Sequence, residues 1–177
     1  MTRDQLEHAI RAACDVAEDS EVWIFGSQAI LGEFPDAPEA LRASIEVDMQ
    51  PKNRPDTADL VDGALGEMSQ FHKTHGFYVH GLLIDGSAYP QGWQHRAKPV
   101  VGEISTRGKI GWCVEIHDLA ASKLAAYREK DRDFVRTLLI EEMIVPKTLI
   151  ERINLLKMDK ELRERLLQWI KNTIEEL

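Results

Sequence analysis

Apolar residues follow two different periods along this chain of 177 residues, and the change between them restricts the fold more than any other feature. Residues 3–18 carry apolar side chains three and four positions apart, which predicts an amphipathic helix. Val22–Phe25 is a continuous apolar run and predicts a buried strand, whereas residues 44–49 alternate polar with apolar side chains, as a half-buried strand does. This order is typical of a mixed α/β domain.

The later part of the chain continues this order and then becomes helical. The patterns predict these further elements: short helix 28–34, helix 56–70, strands 77–84, 99–104 and 111–116, one long helix from Asp118 as its cap to Leu139, and helix after Pro146. We therefore expect an α/β (α+β) fold, a mixed sheet flanked by helices. Residues 1–139 would form the core, and residues 140–177 a C-terminal helical extension of the same domain that closes over the core or contacts a second copy.

Charge is distributed unevenly along the chain. The net charge is −8, and the first 50 residues hold three arginines and eleven acidic residues, so that the remaining residues balance. This argues against broad electrostatic binding to nucleic acid. The chain has no apolar run that would span a bilayer, and its first residues form an acidic amphipathic pattern rather than a secretion signal. We expect a cytoplasmic protein without a membrane partner.

The residues that indicate a reaction lie at the end of the first strand and on the second. Gly26 allows close approach of a ligand to the backbone, and Ser27 stands where a helix begins, so that backbone N–H groups there attract phosphate. Glu46 and Asp48 are two positions apart on a strand and share one face. Singly, these are common turn and surface patterns. Together they predict a site for Mg²⁺ or Mn²⁺ and substrate phosphates, and hence phosphoryl or nucleotidyl transfer.

The segments IFGSQAI and IEVDM resemble the signature of the nucleotidyltransferase superfamily with the polymerase-β-like fold. YPQGWQHR and HDLAASKLAAYREKDRDFV are similar to a bacterial nucleotidyltransferase-like family of unknown function and to AbiEii-type toxins. The resemblance covers about residues 20–140. It implies a nucleotidyltransferase-like fold and a magnesium-dependent enzyme. The implied reaction transfers a nucleoside monophosphate from a nucleoside triphosphate to a hydroxyl of transfer RNA or a protein, in a toxin–antitoxin or phage-defence pair.

The resemblance also implies roles for particular residues. The nucleotide would be bound by four residues: Gly26, Ser27, Lys123 and Arg128. Glu46 and Asp48 would bind the metal, and Asp48, Lys123 and Asp131 would be catalytic. Lys123 would neutralise phosphate charge in the transition state, and Asp131 would act as a base or an orienting group.

Two departures from the superfamily pattern bear on activity. The first acid is Glu46, where many members carry aspartate, and its longer side chain changes the metal geometry. A third carboxylate on a later strand is not evident, although Glu115 is a candidate. The resemblance therefore implies the fold more firmly than it implies turnover.

The predicted long helix places several of these candidate residues relative to one another. The residues that recur at intervals of four, three and four share one face: Lys123, Tyr127, Lys130 and Phe134. Asp131 would lie about 80° around the helix from Lys123. The alternative is a solvated helix with ion pairs among its charged residues, although Lys123 stands among alanine and leucine, which favours a cleft or an interface.

Histidine and tryptophan residues offer weaker indications. His72, His75 and His80 are close in sequence, but no cysteine completes a zinc ligand set, and we do not expect a zinc site. Trp93 could stack on a base or simply pack against the domain.

Two further function classes stay open. The chain could be a nucleotide-binding or interaction module that has the fold without turnover. It could also be a subunit that docks through its C-terminal helices onto an antitoxin, another partner or a second copy. Nucleotide bound without pyrophosphate release would indicate the first, and mass in solution would indicate the second.

Overall fold

The computed structural model describes residues 1–177, and its five strands form one mixed sheet. The strands are β1 (Glu21–Phe25), β2 (Glu46–Pro51), β3 (Tyr78–Gly81), β4 (Lys98–Val100) and β5 (Ile110–Cys113). Their order in the sheet is β3-β2-β1-β5-β4. β1 runs antiparallel to β2 and parallel to β5, β3 runs parallel to β2, and β4 is antiparallel to β5. The predicted α/β fold, a mixed sheet with helices, is confirmed.

The chain divides into two compact units. The sheet unit comprises Met1–Ile84 and Ala97–Glu115, and the helical unit comprises Asp85–Arg96 and Ile116–Leu177. The helices of the sheet unit are α1 (Arg3–Ala17), α2 (Glu39–Arg42), α3 (Ala58–Leu65) and α4 (Gln70–His75). Those of the helical unit are α5 (Trp93–Arg96), α6 (Ile116–Ala126), α7 (Glu129–Ile140), α8 (Pro146–Asn154) and α9 (Lys160–Glu176). The division at residue 139 stays a prediction.

The core of the sheet unit forms where α1 and α3 pack on one another and on the strands. Thr2 caps α1 by accepting a hydrogen bond from the Gln5 backbone N–H, while the Gln5 side chain accepts one from the Thr2 N–H. Fully buried side chains from helix and strands then fill the space: Leu6, Ile10, Val22, Ile24, Val47, Met49, Val61 and Val79. Burial of each large side chain contributes about 1.5–3 kcal/mol, and this burial fixes the inward faces of β1, β2 and β3.

The helical unit is built around α6, which packs against α7, α8 and α9. Its buried apolar residues come from all four helices: Leu119, Leu124, Leu138, Leu149, Ile153, Leu166 and Ile170. The apolar residues of the C-terminal extension are thus largely covered within this unit. None of the helices combines the length and the apolar character that crossing a lipid bilayer demands.

The predicted long helix from Asp118 to Leu139 is wrong. α6 ends at Ala126, and α7 begins at Glu129 after a break at Tyr127, whose φ of 53° lies in the left-handed region. The predicted common face of Lys123, Tyr127, Lys130 and Phe134 therefore does not exist as one helical surface. Asp118 is also not a cap, because α6 already begins at Ile116.

The other predicted elements exist with shorter bounds. The helix predicted over 56–70 ends at Leu65, because Gly66 leaves helical geometry with a ψ of −173°. The short helix predicted over 28–34 is a 3-10 helix at Ser27–Gly32. The strands predicted over 77–84, 99–104 and 111–116 are shortened to β3, β4 and β5.

Candidate functional site

The pairing of β2 with β3 brings polar side chains from two strands to one face of the sheet. Glu46 is the register partner of Tyr78, and Asp48 is the register partner of His80. Side chains alternate along each strand, and register partners point to the same side. Along β2 the residues between and after the acids are fully buried on the opposite face, which confirms the prediction that Glu46 and Asp48 share one face.

Glu46, Asp48 and His80 form a cluster that we call the acid–histidine group. One ligand atom from each residue lies within 4.8 Å of the others. The His80 Nδ1 atom is 3.0 Å from Asp48 Oδ1, and the side chains of Asp48 and His80 are 27% and 46% exposed. These oxygen and nitrogen atoms are ones that a divalent cation can bind from solution.

Tyr78 holds the other acid of the group. Its hydroxyl donates a hydrogen bond to Glu46 Oε2 over 2.6 Å. This hydrogen bond, with the charge of Glu46, raises the pKa of Tyr78 to about 12, so the phenol remains a donor at neutral pH. Tyr78 therefore orients Glu46 by one oxygen.

Gly26 lies directly after β1 and against Asp48. Phe25 is the register partner of Asp48, and Gly26 has a φ of 64°, which L residues other than glycine rarely adopt. A Cβ atom at Gly26 would collide with the Asp48 carboxylate. Ser27 then begins the 3-10 helix that ends at Gly32. The turn thus brings backbone rather than a side chain next to the acid.

Glu115, the candidate third carboxylate, follows β5 and is 8% exposed. Because β5 is parallel to β1, Glu115 lies towards the edge of the sheet where β1 ends. It does not belong to the group of three ligand atoms within 4.8 Å, whose third member is His80. A role for Glu115 as a metal ligand stays a prediction.

Lys123, Arg128 and Asp131 come together in the helical unit, where Asp131 is buried and the side chain of Arg128 is exposed. Lys123 Nζ is 3.4 Å from Asp131 Oδ1, and Arg128 Nε is 2.5 Å from Asp131 Oδ2. Asp131 is 1% exposed, and Lys123 Nζ also lies 4.5 Å from the centre of the Phe134 ring. Burial lowers the pKa of Lys123, and the charge of Asp131 opposes that shift.

The angle of about 80° expected between Lys123 and Asp131 is wrong, because they lie on different helices. In a continuous helix, residues eight apart are separated by about 12 Å along the axis. The left-handed backbone at Tyr127 interrupts the helix between the two residues, and the ion pair forms across this break. The contact between these charges is therefore a product of the helix break.

A second buried carboxylate in the helical unit was not recognised in the sequence. Asp118 is fully buried and receives two hydrogen bonds from Arg96, of 2.8 and 3.0 Å, in a bidentate arrangement. Arg152 Nε lies 3.2 Å from Asp118 Oδ1. The residues are far apart in sequence, and only their charges could have suggested the pairing.

Trp93 packs in the helical unit, as one of the two interpretations of it predicts. It is 5% exposed and lines a cavity of about 240 Å³ together with Tyr89, Gln91, Leu155 and Lys157. Stacking on a base stays a prediction.

His80 and Tyr78 are the residues of the site that sequence reasoning missed. The signal was present, since Tyr78-Val79-His80 alternates polar and apolar positions as Glu46-Val47-Asp48 does. The sequence groups His80 with His72 and His75, but neither of these is among the three ligand residues, although the His72 ring lies 4.8 Å from the ring of Tyr78. The His75 ring is 4.5 Å from the ring of His8, and His72 Nδ1 accepts a hydrogen bond from the Met68 N–H.

No family model, no curated protein and no solved structure matches this chain. The resemblance to nucleotidyltransferases therefore rests on the sequence motifs alone and stays a prediction.

Proposed function

We propose that this chain is a metal-dependent nucleotidyltransferase that moves a nucleoside monophosphate from a nucleoside triphosphate to an acceptor hydroxyl. The observation that supports it best is the meeting of Gly26 and Asp48. Here two carboxylates share a strand face, and the backbone of a glycine turn lies directly against one of them. Such a place offers ligands for a cation beside a backbone that a phosphate chain can approach.

In the proposed reaction the acceptor hydroxyl oxygen attacks the α-phosphorus of the triphosphate. A new oxygen–phosphorus bond forms, the bond between the α-phosphorus and the bridging oxygen breaks, and pyrophosphate leaves. The hydroxyl proton passes to a general base or to solvent. A divalent cation held by Glu46 and Asp48 would supply charge stabilisation to the phosphate oxygens. Gly26 and Ser27 would bind the triphosphate.

Lys123 has a transition-state role in this proposal, together with Arg128 as a nucleotide-binding residue. The contacts of Asp131 favour the orienting role over that of a base. Asp131 is almost fully buried and bonded to both cations, which is how a second residue fixes a functional side chain. We therefore assign Asp131 the positioning of Lys123 and Arg128.

The resemblance supplies the substrate side of the proposal. It implies transfer RNA or a protein as acceptor, and an antitoxin as a partner in a toxin–antitoxin or phage-defence pair. A cytoplasmic setting follows from such acceptors.

The test is transfer of label from nucleoside triphosphates carrying ³²P at the α-phosphate. The full chain is incubated with each triphosphate, Mg²⁺ or Mn²⁺, and total cellular RNA or protein. We expect label on one macromolecule and release of pyrophosphate. Asp48→Asn should abolish transfer without unfolding the protein, because the change is isosteric at a partly exposed position.

Asp59→Asn is the matched control, since Asp59 is exposed on α3, which packs against Gly81 on the face of β3 opposite to His80. Transfer by Asp48→Asn at the rate of the Asp59→Asn control would contradict the proposal. Nucleotide bound without pyrophosphate release would support the second candidate, a binding module without turnover, which the substitution of glutamate for the usual first aspartate favours.

A further inference from the structure

We propose that His80 is a third metal ligand beside Glu46 and Asp48, and that it makes the site select a first-row transition ion such as Mn²⁺ over Mg²⁺. This inference rests on the proposed function for the use of the site, and it names the ion that the site takes. Three observations carry it: the strand register, the distances within the acid–histidine group, and the exposure of its side chains.

The register makes the proximity of His80 and Asp48 a property of the sheet. β2 and β3 are parallel neighbours, and the pairing sets Asp48 beside His80 along the hydrogen-bonding direction, where strands lie about 4.8 Å apart. The backbone on both sides is fixed, since Val47, Met49 and Val79 are fully buried beneath the sheet. His80 therefore does not reach the acids by chance orientation of a flexible loop.

The distances fit a common ion. With metal–ligand bonds of about 2.1 Å, adjacent ligands of an octahedral ion are about 3.0 Å apart and opposite ligands about 4.2 Å apart. His80 Nδ1 and Asp48 Oδ1 are separated by 3.0 Å, the length of such an edge. Glu46 contributes a third atom within 4.8 Å of the other two, close to the span of one coordination shell.

The chemistry of the set determines the selectivity. Mg²⁺ prefers oxygen ligands and holds its waters strongly, whereas imidazole nitrogen suits first-row transition ions. One nitrogen and two carboxylates form three ligands, and they leave further positions open for water or phosphate oxygens. Because Asp48 and His80 are 27% and 46% exposed, these open positions face solvent.

Tyr78 adds a supporting contact. Its hydroxyl donates to Glu46 Oε2, which leaves Oε1 of the same carboxylate for a metal. Ligands are commonly oriented by such outer hydrogen bonds, and losing one costs about 10–100-fold in metal affinity.

The experiment measures metal binding by the full chain without nucleotide. The protein is freed of metal with a chelator, and Mn²⁺ is then titrated and followed by electron paramagnetic resonance, with Mg²⁺ as competitor. We expect Mn²⁺ to bind at least tenfold more tightly than Mg²⁺. We also expect electron spin-echo modulation from a directly bound ¹⁴N nucleus, a readout that needs no variant.

Substitutions of His80 distinguish a metal ligand from a residue that only hydrogen-bonds to Asp48. His80→Ala should lose the nitrogen modulation and lower Mn²⁺ affinity about tenfold or more. His80→Asp should restore three ligands, all oxygen, and shift the preference towards Mg²⁺. His95→Ala, at an exposed histidine of α5, should bind both ions like the parent.

Absence of nitrogen modulation in the parent protein, or the same preference for Mn²⁺ in His80→Ala and His95→Ala, would overturn the inference. Neither measurement involves nucleotide transfer. A chain that shows nitrogen modulation but transfers no nucleotide would support the metal site and contradict the proposed function. Nucleotide transfer without nitrogen modulation would contradict the metal site and support the proposed function.

Discussion

Two carboxylate sites, one in each unit, are held in opposite ways. In the sheet unit, Asp48 is partly exposed and lies beside the ring of His80. In the helical unit, Asp118 and Asp131 are 0% and 1% exposed, and each is paired with two basic side chains. One arrangement retains access to solvent, and the other removes the charge from solvent and neutralises it within the fold.

This difference separates carboxylates that can bind a ligand from carboxylates that stabilise the fold. A buried carboxylate is tolerated only with partners, so removing it leaves its cations uncompensated and costs stability. A partly exposed carboxylate keeps contact with water, so removing its charge costs less stability than at a buried site and reports on ligands. The two kinds of site should therefore respond oppositely to the same chemical change.

The largest difference between the two sites is expected when Asp118 and Asp48 are each replaced by asparagine. Asp118→Asn leaves Arg96 and Arg152 without their buried counter-charge and should lower the free energy of unfolding by about 3–5 kcal/mol. Asp48→Asn should change it by at most about 0.5 kcal/mol. Denaturant unfolding at neutral pH measures both, and equal losses of stability would contradict the distinction between the two sites.

Lys123 sharpens the comparison because it is buried like the stabilising charges but has a predicted role in transfer. Lys123→Ala should lower turnover about hundredfold, as loss of one preorganised charge does. Lys123→Arg should restore only part of it, because a planar guanidinium presents its charge differently from an ammonium. Turnover and melting temperature are measured together. A lowered melting temperature with normal turnover would assign Lys123 to the fold alone.

The smallest effect concerns two acids near the start of β1. Burial works to raise the pKa of Asp19, but hydrogen bonds from the Asn53 side chain and from backbone N–H groups outweigh it and lower the pKa. Hydrogen bonds from Lys52 and Trp112 lower the pKa of Glu21. Both acids are more acidic in the folded chain than their ordinary values of 3.8 and 4.5.

Because of these lowered pKa values, the free energy of unfolding depends on pH. The folded state binds fewer protons, so the contribution is complete above the ordinary pKa values and is lost as pH falls through the folded ones. The free energy of unfolding should therefore decline below about pH 4.5. Glu21→Gln should reduce that decline in denaturant titrations at successive pH values. If the decline in the free energy of unfolding is unchanged in Glu21→Gln, Glu21 does not contribute to the pH dependence of stability.

The sequence predicted the parts of this molecule that depend on local periodicity. The alternation around Glu46 and Asp48 is a property of neighbouring residues, and it identified β2 and its polar face. The partner of Asp48 across the sheet depends on the register of β2 with β3, which no local pattern specifies, and His80 was therefore missed. The break at Tyr127 was missed for a related reason, because a single left-handed residue interrupts an otherwise continuous helical period.

The close approach of Gly26 to Asp48 also has a consequence for how such a chain can evolve. A side chain at position 26 would occupy the space of the carboxylate at position 48 and would need a strained backbone. The two positions are therefore tied by geometry: a descendant that replaces the glycine must move or lose the acid in the same lineage. In related sequences, replacement of Gly26 should coincide with loss of Asp48, whereas Asp118 and its two arginines should vary independently of both.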